Sequence, residues 1–252
     1  MKISKNKISR FSQLRNKKFR KEYGLFTVEG PKAVADTILN FQLENLVAAD
    51  NWIKENATLL CNIENDRVLT ANREELDKIS SLSTPSDVIA IYKIPEINFL
   101  ESEKLKEDFY LVLDGIQDPG NLGTIIRTAH WFGIETLFCS TDTVDLYNPK
   151  TIQSTMGSLS KVNVIYCDIS KLLNFNEHLQ NYALDLNGEN IFEKKTFKPG
   201  FFIMGQEGRG LRENIRKEID TFLTIPPANP DNHPDSLNVA IATAITLANV
   251  KK

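Results

Sequence analysis

From about residue 108 to the C-terminus, short apolar runs alternate with helix-like stretches, and this alternation restricts the fold more than any other feature of the chain. "FYLVLD", "ETLFCS", "VNVIYC", "NYALDL", "GFFIMG" and "DTFLTIP" read as strands. "NLGTIIRTAHWFG", "NPKTIQSTMGSLSK", "ISKLLNFNEHLQ" and "LRENIRKEI" read as helices between them, and "DSLNVAIATAITLANV" closes the chain as another. Apolar strands joined through helices imply a parallel sheet covered on both faces. Ligands of such sheets bind beyond the C-terminal ends of the strands. Three strand ends here carry polar or glycine-bearing loops, at 114–124, 204–210 and 225–238.

The first half reads as a smaller α/β unit. "LFTVEG" looks like a strand, and "PKAVADTILN" like a helix with proline at its first position. "QLENLVAA", "ATLLC" and "DRVLTA" read as short strands, "REELDKISSL" as a helix and "DVIAIYKI" as a strand. No side chain in this half has the look of a catalytic group. "PEINFLESEKLKED" brings proline and a charged cluster, so the expected division is a domain over 1–98, a linker over 99–107 and a domain over 108–252.

The net charge of −3 is unremarkable, but its distribution is not. Between Lys2 and Lys32 ten basic residues face only Glu22 and Glu29. A clustered basic segment on a mildly acidic body is the footprint of phosphate binding. Phe11, Leu14, Phe19 and Tyr23 suggest a helix docked by one face, leaving Arg15, Lys18 and Arg20 to meet a polyanion. No apolar run reaches the ~18 residues that cross a membrane, and the N-terminus lacks the apolar core of a secretory signal. Cys61, Cys139 and Cys167 show no metal or redox spacing and read as buried thiols, which points to the cytoplasm and to no metal site.

The three loops carry the chemistry. In "DGIQDPGNLGTIIRTA", Gly115 and Gly120 have P-loop spacing, but Asn121 and Leu122 replace the lysine and hydroxyl that a P-loop needs. Asn121 is placed to cap the helix. Arg127 lies off the apolar stripe, where a guanidinium can grip a phosphate with two prongs. In "FFIMGQEGRGL", Glu207 sits among Gly205, Gly208 and Gly210, as a hydroxyl acceptor or orienter. In "IPPANPDNHPDSLNVAIATAI", a proline-rich turn leads into an apolar helix with Ser236 or Asp235 as its cap, and Asn238 is a polar group needing a partner.

In this order, "NLGTIIRTA", "GQEGRGL" and "IPPANPDNHPDSLNVAIATAI" resemble the three motifs of the SpoU/TrmH family, RNA 2′-O-ribose methyltransferases of the SPOUT superfamily. The first half, with "LRNKKFRKEYGLFTVEG", resembles that family's L30e-like substrate-binding domain. The resemblance implies a C-terminal parallel-sheet domain with a deep trefoil knot, a homodimer, and S-adenosylmethionine bound in the knot. It implies catalytic roles for Asn121, Arg127, Glu207, Ser236 and Asn238, and cofactor contacts at Gly205, Ile225 and Leu237. "PANPDNHPD" is longer than the family's usual turn and lacks its glycine. The implied reaction is methyl transfer to a ribose 2′-hydroxyl, with 23S rRNA the expected substrate and tRNA the alternative. Arg127 is read as a phosphate contact, because a guanidinium holds its proton at ordinary pH; the family reading also admits it as the base. A catalytically inactive RNA-binding assembly factor is the rival from another class. A dinucleotide enzyme is disfavoured, since no G-x-G-x-x-G follows "LVLD".

Overall fold

The computed structural model describes residues 1–97, 99 and 104–251. Residues 100–103 of the 99–107 linker and the boundary residue 98 lie outside the described residues. The elements of the first part are α1 (Lys5–Ser12), α2 (Lys17–Tyr23), β1 (Leu25–Glu29), α3 (Pro31–Thr37), β2 (Leu43–Ala48), α4 (Asp50–Glu55), α5 (Ala57–Leu60), β3 (Val68–Thr70), α6 (Arg73–Ile79) and β4 (Val88–Lys93). Then follow β5 (Phe109–Leu113), α7 (Pro119–Trp131), β6 (Thr136–Ser140), α8 (Pro149–Thr155), β7 (Asn163–Cys167), α9 (Ile169–Phe175), β8 (Gln180–Asn190), β9 (Gly200–Met204), α10 (Glu213–Arg216), β10 (Thr221–Thr224) and α11 (Val239–Val250).

The chain divides into two compact units. Unit 1 holds residues 1–96 together with 145–160, and unit 2 holds 97–144 and 161–252. In unit 1 the sheet order is β1-β4-β2-β3, antiparallel except for the β2–β3 pair. β4 lies inside this sheet, and its run Val88–Tyr92 is buried throughout, which is why it lacks the apolar–polar alternation of a half-exposed strand. Phe11, Leu14, Leu25, Val47, Leu69, Leu76 and Ile89 share one core.

The segment 145–160 comes from the middle of the second half of the sequence, yet it packs within unit 1. Tyr147 lies against Phe26 with ring centroids 4.4 Å apart. Asp145 Oδ2 accepts from Arg20 Nε at 3.1 Å and Nη2 at 2.6 Å, and Arg20 Nη1 donates to the carbonyls of Leu14 and Arg15. Arg20 is therefore only 3% exposed. The expectation that it faces a polyanion is corrected: all three of its nitrogens donate inside the unit.

In unit 2 the sheet order is β10-β8-β9-β5-β6-β7, with every pair parallel. Val112, Phe138, Phe201 and Ile203 form the core against α9 and α10 side chains. From β5 the chain moves outward through β6 to β7, crosses back to β8, places β9 between β8 and β5, and ends with β10 outside β8. The strand order thus reverses at the β5–β9 pair, the place where open parallel sheets leave a crevice for ligand. α11 packs on α7.

Several local expectations change. "ATLLC" is the helix α5 rather than a strand, since a short apolar run carries no decisive period and Ala and Leu favour helix. Asp118, not Asn121, caps α7: its side chain accepts from Asn121 N, with Pro119 at the first position. α11 starts at Val239 and is capped by Asn238 rather than Ser236 or Asp235. Cys139 and Cys167 are buried, but Cys61 is exposed.

Candidate active site

Three loops meet beyond the C-terminal strand ends of unit 2, and one carboxylate oxygen joins them. Glu207 Oε1 accepts from Asn121 Nδ2 at 2.9 Å, from Asn238 Nδ2 at 2.9 Å and from the amide of Val239 at 3.2 Å. Asn238 Nδ2 also donates to Asn121 Oδ1 at 3.0 Å. The carboxamide orientations follow from the network. Asn238 Oδ1 accepts from the amides of Ala240 and Ile241 as the cap of α11, so its Nδ2 must point at the other two residues. The polar group that the sequence left in need of a partner thus has two jobs, capping a helix and tying the third loop to the other two.

A second network holds these loops from below. Asp114, at the end of β5, is 1% exposed. It accepts from Arg212 N at 3.0 Å and Nε at 2.6 Å, and also from Arg212 Nη2. Arg212 Nη1 lies 3.5 Å from Asp142 Oδ1, beyond the end of β6. The Ser140 hydroxyl accepts from Gly115 N at 2.8 Å and pairs with Thr143. A hydrogen bond with Ser140 holds the Asp142 carboxyl below its ordinary range, with burial opposing and Arg212 assisting. Hydrogen bonding to Asp114 raises the Arg212 guanidinium above its ordinary value. Residues after β5, β6 and β9 are fixed to one another in this way. No sequence signal joined Asp114 to Arg212, which are 98 residues apart.

Gly205 is explained by its own loop. A Cβ there would lie 2.5 Å from the carbonyl carbon of Gly210 and 2.7 Å from Leu211 N. Gln206 and Gly210 exchange backbone hydrogen bonds of 3.1 and 2.8 Å, and Gly208 and Gly210 have φ of +80° and +69°. The glycines fold the turn tightly, which delivers Glu207 to its partners.

The network leaves specific groups open. Glu207 Oε2, the Ser236 hydroxyl and the whole Arg127 guanidinium make no hydrogen bond among the described residues, and all three residues are exposed. The backbone polar groups of Gly205, Ile225 and Leu237 are likewise unbonded among the described residues. Leu237 exposes 47% of its surface beside them. Open amides and carbonyls next to apolar surface suit a flat heterocycle with edge donors and acceptors. The structure brings Asn121, Glu207 and Asn238 into direct contact; among the described residues no hydrogen bond or ion pair joins Arg127 or Ser236 to them.

In unit 1, Lys2 pairs with Glu75, Lys7 with Asn45, and Arg10 with Glu44. Arg15 is exposed, with Nη2 donating to the carbonyls of Asp77 and Lys78. Lys18 is exposed beside the Phe19 ring. Among the described residues no helix is long and apolar enough to cross a membrane, and no His, Cys, Asp and Glu cluster could hold a metal ion.

Residues 108–248 match the SpoU rRNA methylase family, and residues 5–90 match an MRM3-like substrate-binding domain. The 23S rRNA (guanosine(2553)-2′-O)-methyltransferase RlmP of Bacillus subtilis is 26% identical over 97% of this chain and 96% of its own length. The Escherichia coli 23S rRNA (guanosine-2′-O-)-methyltransferase RlmB is 28% identical over 70% of this chain and 75% of its own. Among solved structures, a TrmH-family protein from Porphyromonas gingivalis superposes with a TM-score of 0.85 at 32% identity, covering 99% of this chain and 98% of that one. An rRNA methyltransferase from Sinorhizobium meliloti with bound AdoMet has a TM-score of 0.84 at 28% identity, covering 99% and 96%.

Proposed function

The chain belongs to the SpoU rRNA methylase family, and on that premise we propose that it transfers a methyl group from S-adenosylmethionine to a ribose 2′-hydroxyl of structured RNA, with 23S rRNA as substrate. The observation that carries this is the Asn121–Glu207–Asn238 contact at the β5–β9 crevice, with Glu207 Oε2 left uncommitted in it and Arg127 uncommitted and exposed further along α7.

The open backbone groups at Gly205, Ile225 and Leu237 fit an adenine edge, and the exposed Leu237 side chain fits its face. When bound there, S-adenosylmethionine supplies an activated methyl group. The protein's part is alignment and removal of one proton. Glu207 Oε1 is saturated by three donors, so Oε2 is the oxygen free to accept from the 2′-hydroxyl, with Ser236 orienting it. Arg127 grips the adjacent phosphate, and its fixed charge eases loss of the hydroxyl proton. Asn238 holds the third loop and Asn121 together and does not touch the reacting atoms. Unit 1 supplies RNA affinity, with Arg15 and Lys18 among its exposed cations.

The same reading includes a trefoil knot. The chain leaves β10 at the sheet edge, and residues 225–238 return to the 114–121 and 205–211 loops before α11 packs on α7. It also includes a homodimer, supported by Ile241 on α11 and Trp131 on α7, apolar side chains that are 53% and 84% exposed. It places the chain in the cytoplasm with its RNA.

The test supplies radiolabelled S-adenosylmethionine with unmodified rRNA or tRNA and analyses the nucleosides. Label in 2′-O-methyl nucleosides of rRNA is expected. Label in tRNA alone would change the substrate, and label confined to bases would overturn the reading.

A further inference from the structure

We propose that Arg209, at the tip of the glycine turn that carries Glu207, binds one of the two phosphates flanking the target ribose, the other being the one assigned to Arg127. The proposal rests on the methyl-transfer reading and deepens it. The site then grips the target nucleotide on both sides, which selects an internal position of an RNA strand over a nucleoside or a strand end.

The charge of the three loops makes such a cation necessary. Across residues 114–124, 204–212 and 225–238 the only lysine or arginine side chains are Arg209 and Arg212. Arg212 is spent. Its Nε and Nη2 donate to the buried Asp114, and its Nη1 lies 3.5 Å from Asp142 Oδ1. Asp118, Glu207, Asp231 and Asp235 remain in the same loops. An RNA strand drawn to Glu207 meets carboxylates of its own sign, and like charges brought together cost affinity. Arg209 is the cation left in the loops to offset them. It is exposed and makes no hydrogen bond or ion pair among the described residues. It does not pair even with Glu207, two residues away, whose Oε2 is also open.

The side chain is free but its backbone is fixed. Gln206 and Gly210 exchange two backbone hydrogen bonds across the turn. Gly208 and Gly210, on either side of Arg209, hold φ of +80° and +69°. Gly205 packs so closely on Gly210 and Leu211 that a Cβ has no room. One rigid base thus presents a carboxylate and a guanidinium, with Cα atoms no more than about 7 Å apart. A guanidinium with open donors and an anchored backbone matches a pair of phosphate oxygens.

Arg127 does not duplicate this contact. Asn121 touches Glu207, and Arg127 stands further along the same helix. Six residues separate them, about 9 Å along the axis. The two arginines therefore come to the ribose from different elements, one for each flanking phosphate. Holding both sides fixes the 2′-hydroxyl against Glu207 Oε2, and a misplacement of about 1 Å there is worth about 10²-fold in rate.

The experiment compares the wild type with Arg209→Ala, Arg209→Lys, Arg127→Ala and the Arg127→Ala, Arg209→Ala double substitution. Lys217→Ala is the control, an exposed lysine ahead of β10 at the opposite ends of the strands. The measurements are filter binding of unmodified 23S rRNA over a salt series, methyl transfer to the same RNA, and calorimetry with S-adenosylmethionine. Arg209→Ala is expected to lower the slope of log RNA affinity against log salt by about one. It should lower kcat/KM by about 10- to 150-fold and leave methyl-donor affinity and Tm unchanged. Arg209→Lys should recover to within about tenfold of wild type. The losses of the two alanine variants should multiply in the double variant, because each acts on its own phosphate. A wild-type slope in Arg209→Ala, an equal effect from Lys217→Ala, or a collapse of methyl-donor affinity would overturn the contact. A double variant no worse than the weaker single one would show both arginines on one phosphate and overturn the two-sided grip. Normal methyl transfer by Arg209→Ala with an unmoved slope removes Arg209 alone. A slope lowered by one in a chain that methylates no RNA keeps the phosphate contact and removes the methyl-transfer reading.

Discussion

Replacing Arg127 with alanine and with lysine in turn separates three roles that this arginine could play: structural support, a phosphate contact and a general base. In the structure its guanidinium has no hydrogen bond or ion pair among the described residues, and the side chain is exposed on α7. Removal should change stability by no more than about 0.5 kcal/mol. If the side chain grips a phosphate of the target nucleotide, the loss is one charge-assisted contact, about 1.5–3 kcal/mol. That corresponds to a fall in kcat/KM of about 10- to 150-fold. A general base would cost about 10²–10⁴, so the ranges overlap and the alanine variant alone cannot separate them. Arg127→Lys does. A lysine keeps the charge and loses only the two-pronged geometry, so the phosphate role predicts recovery to within about tenfold of wild type. A base role predicts instead that the pH–rate profile moves toward lower pH, because the ammonium releases its proton near 10.4 and the guanidinium above 12. The assays are methyl transfer to rRNA, calorimetric affinity for S-adenosylmethionine, and thermal unfolding. A drop in Tm of many degrees, or collapse of methyl-donor affinity, would refute the placement of Arg127 as an RNA-facing, structurally idle side chain.

Asn238→Asp should be harmful although aspartate caps helices as well as asparagine. It retains the oxygen that accepts from Ala240 and Ile241, but puts a carboxylate where the amide now meets Glu207 Oε1 at 2.9 Å and Asn121 Oδ1 at 3.0 Å. A loss of about 1–3 kcal/mol in thermal unfolding at neutral pH is expected, with partial recovery on acidification; a neutral result would show that the three-residue contact is not formed. Gly205→Ala places a Cβ 2.5 Å from backbone of Gly210, so the 205–211 turn must open at a cost of about 1–3 kcal/mol, and calorimetry should show weakened methyl-donor binding; unchanged binding would contradict the tight turn. Burial raises Tyr92 from 10.0 to about 12 against a bond to Thr37. Burial raises Tyr147 likewise from 10.0 to about 12, helped by Asp145. The folded state holds these protons more tightly than the unfolded one, so the associated stability is complete below pH 10 and is lost as pH rises toward about 12. Unit 1 should therefore unfold within that window, seen as circular dichroism loss coincident with phenolate absorbance; full ionisation near pH 10 without unfolding would contradict it.

The parallel sheet of unit 2 was legible because its strands are buried on both faces and its helices carry a 3.6-residue stripe, both local properties. The loops bearing Asn121, Glu207 and Asn238 were legible because they sit at strand ends within short distinctive strings. What joins distant segments was not legible. The Asp114–Arg212 pair spans 98 residues and the Arg20–Asp145 pair spans 125, and neither has a periodicity. Arg20 shows the physical reason most clearly: helical spacing placed it in a basic run, and burial is decided by a carboxylate that no local pattern reveals. Asparagine commonly caps, so Asn121 is an obvious candidate, but the Asp118-Pro119 dipeptide is the stronger signal. Cys61 follows "ATLL", and once that stretch is a short surface helix its apolar look no longer means burial.

The chain crosses between its two units at 96/97, again at 144/145 and once more at 160/161. A cut at the proline-containing boundary near residue 96 is therefore clean in the gene but not in the protein. A fragment ending there keeps Arg20 at the bottom of its own pocket and discards Asp145, the carboxylate that neutralises it, together with the ring that covers Phe26. For the same reason unit 1 cannot be exchanged with a foreign one as a single N-terminal cassette. A recombinant would inherit its methyltransferase half with residues 145–160 still shaped for the lost neighbour, so the two halves are free to diverge only together.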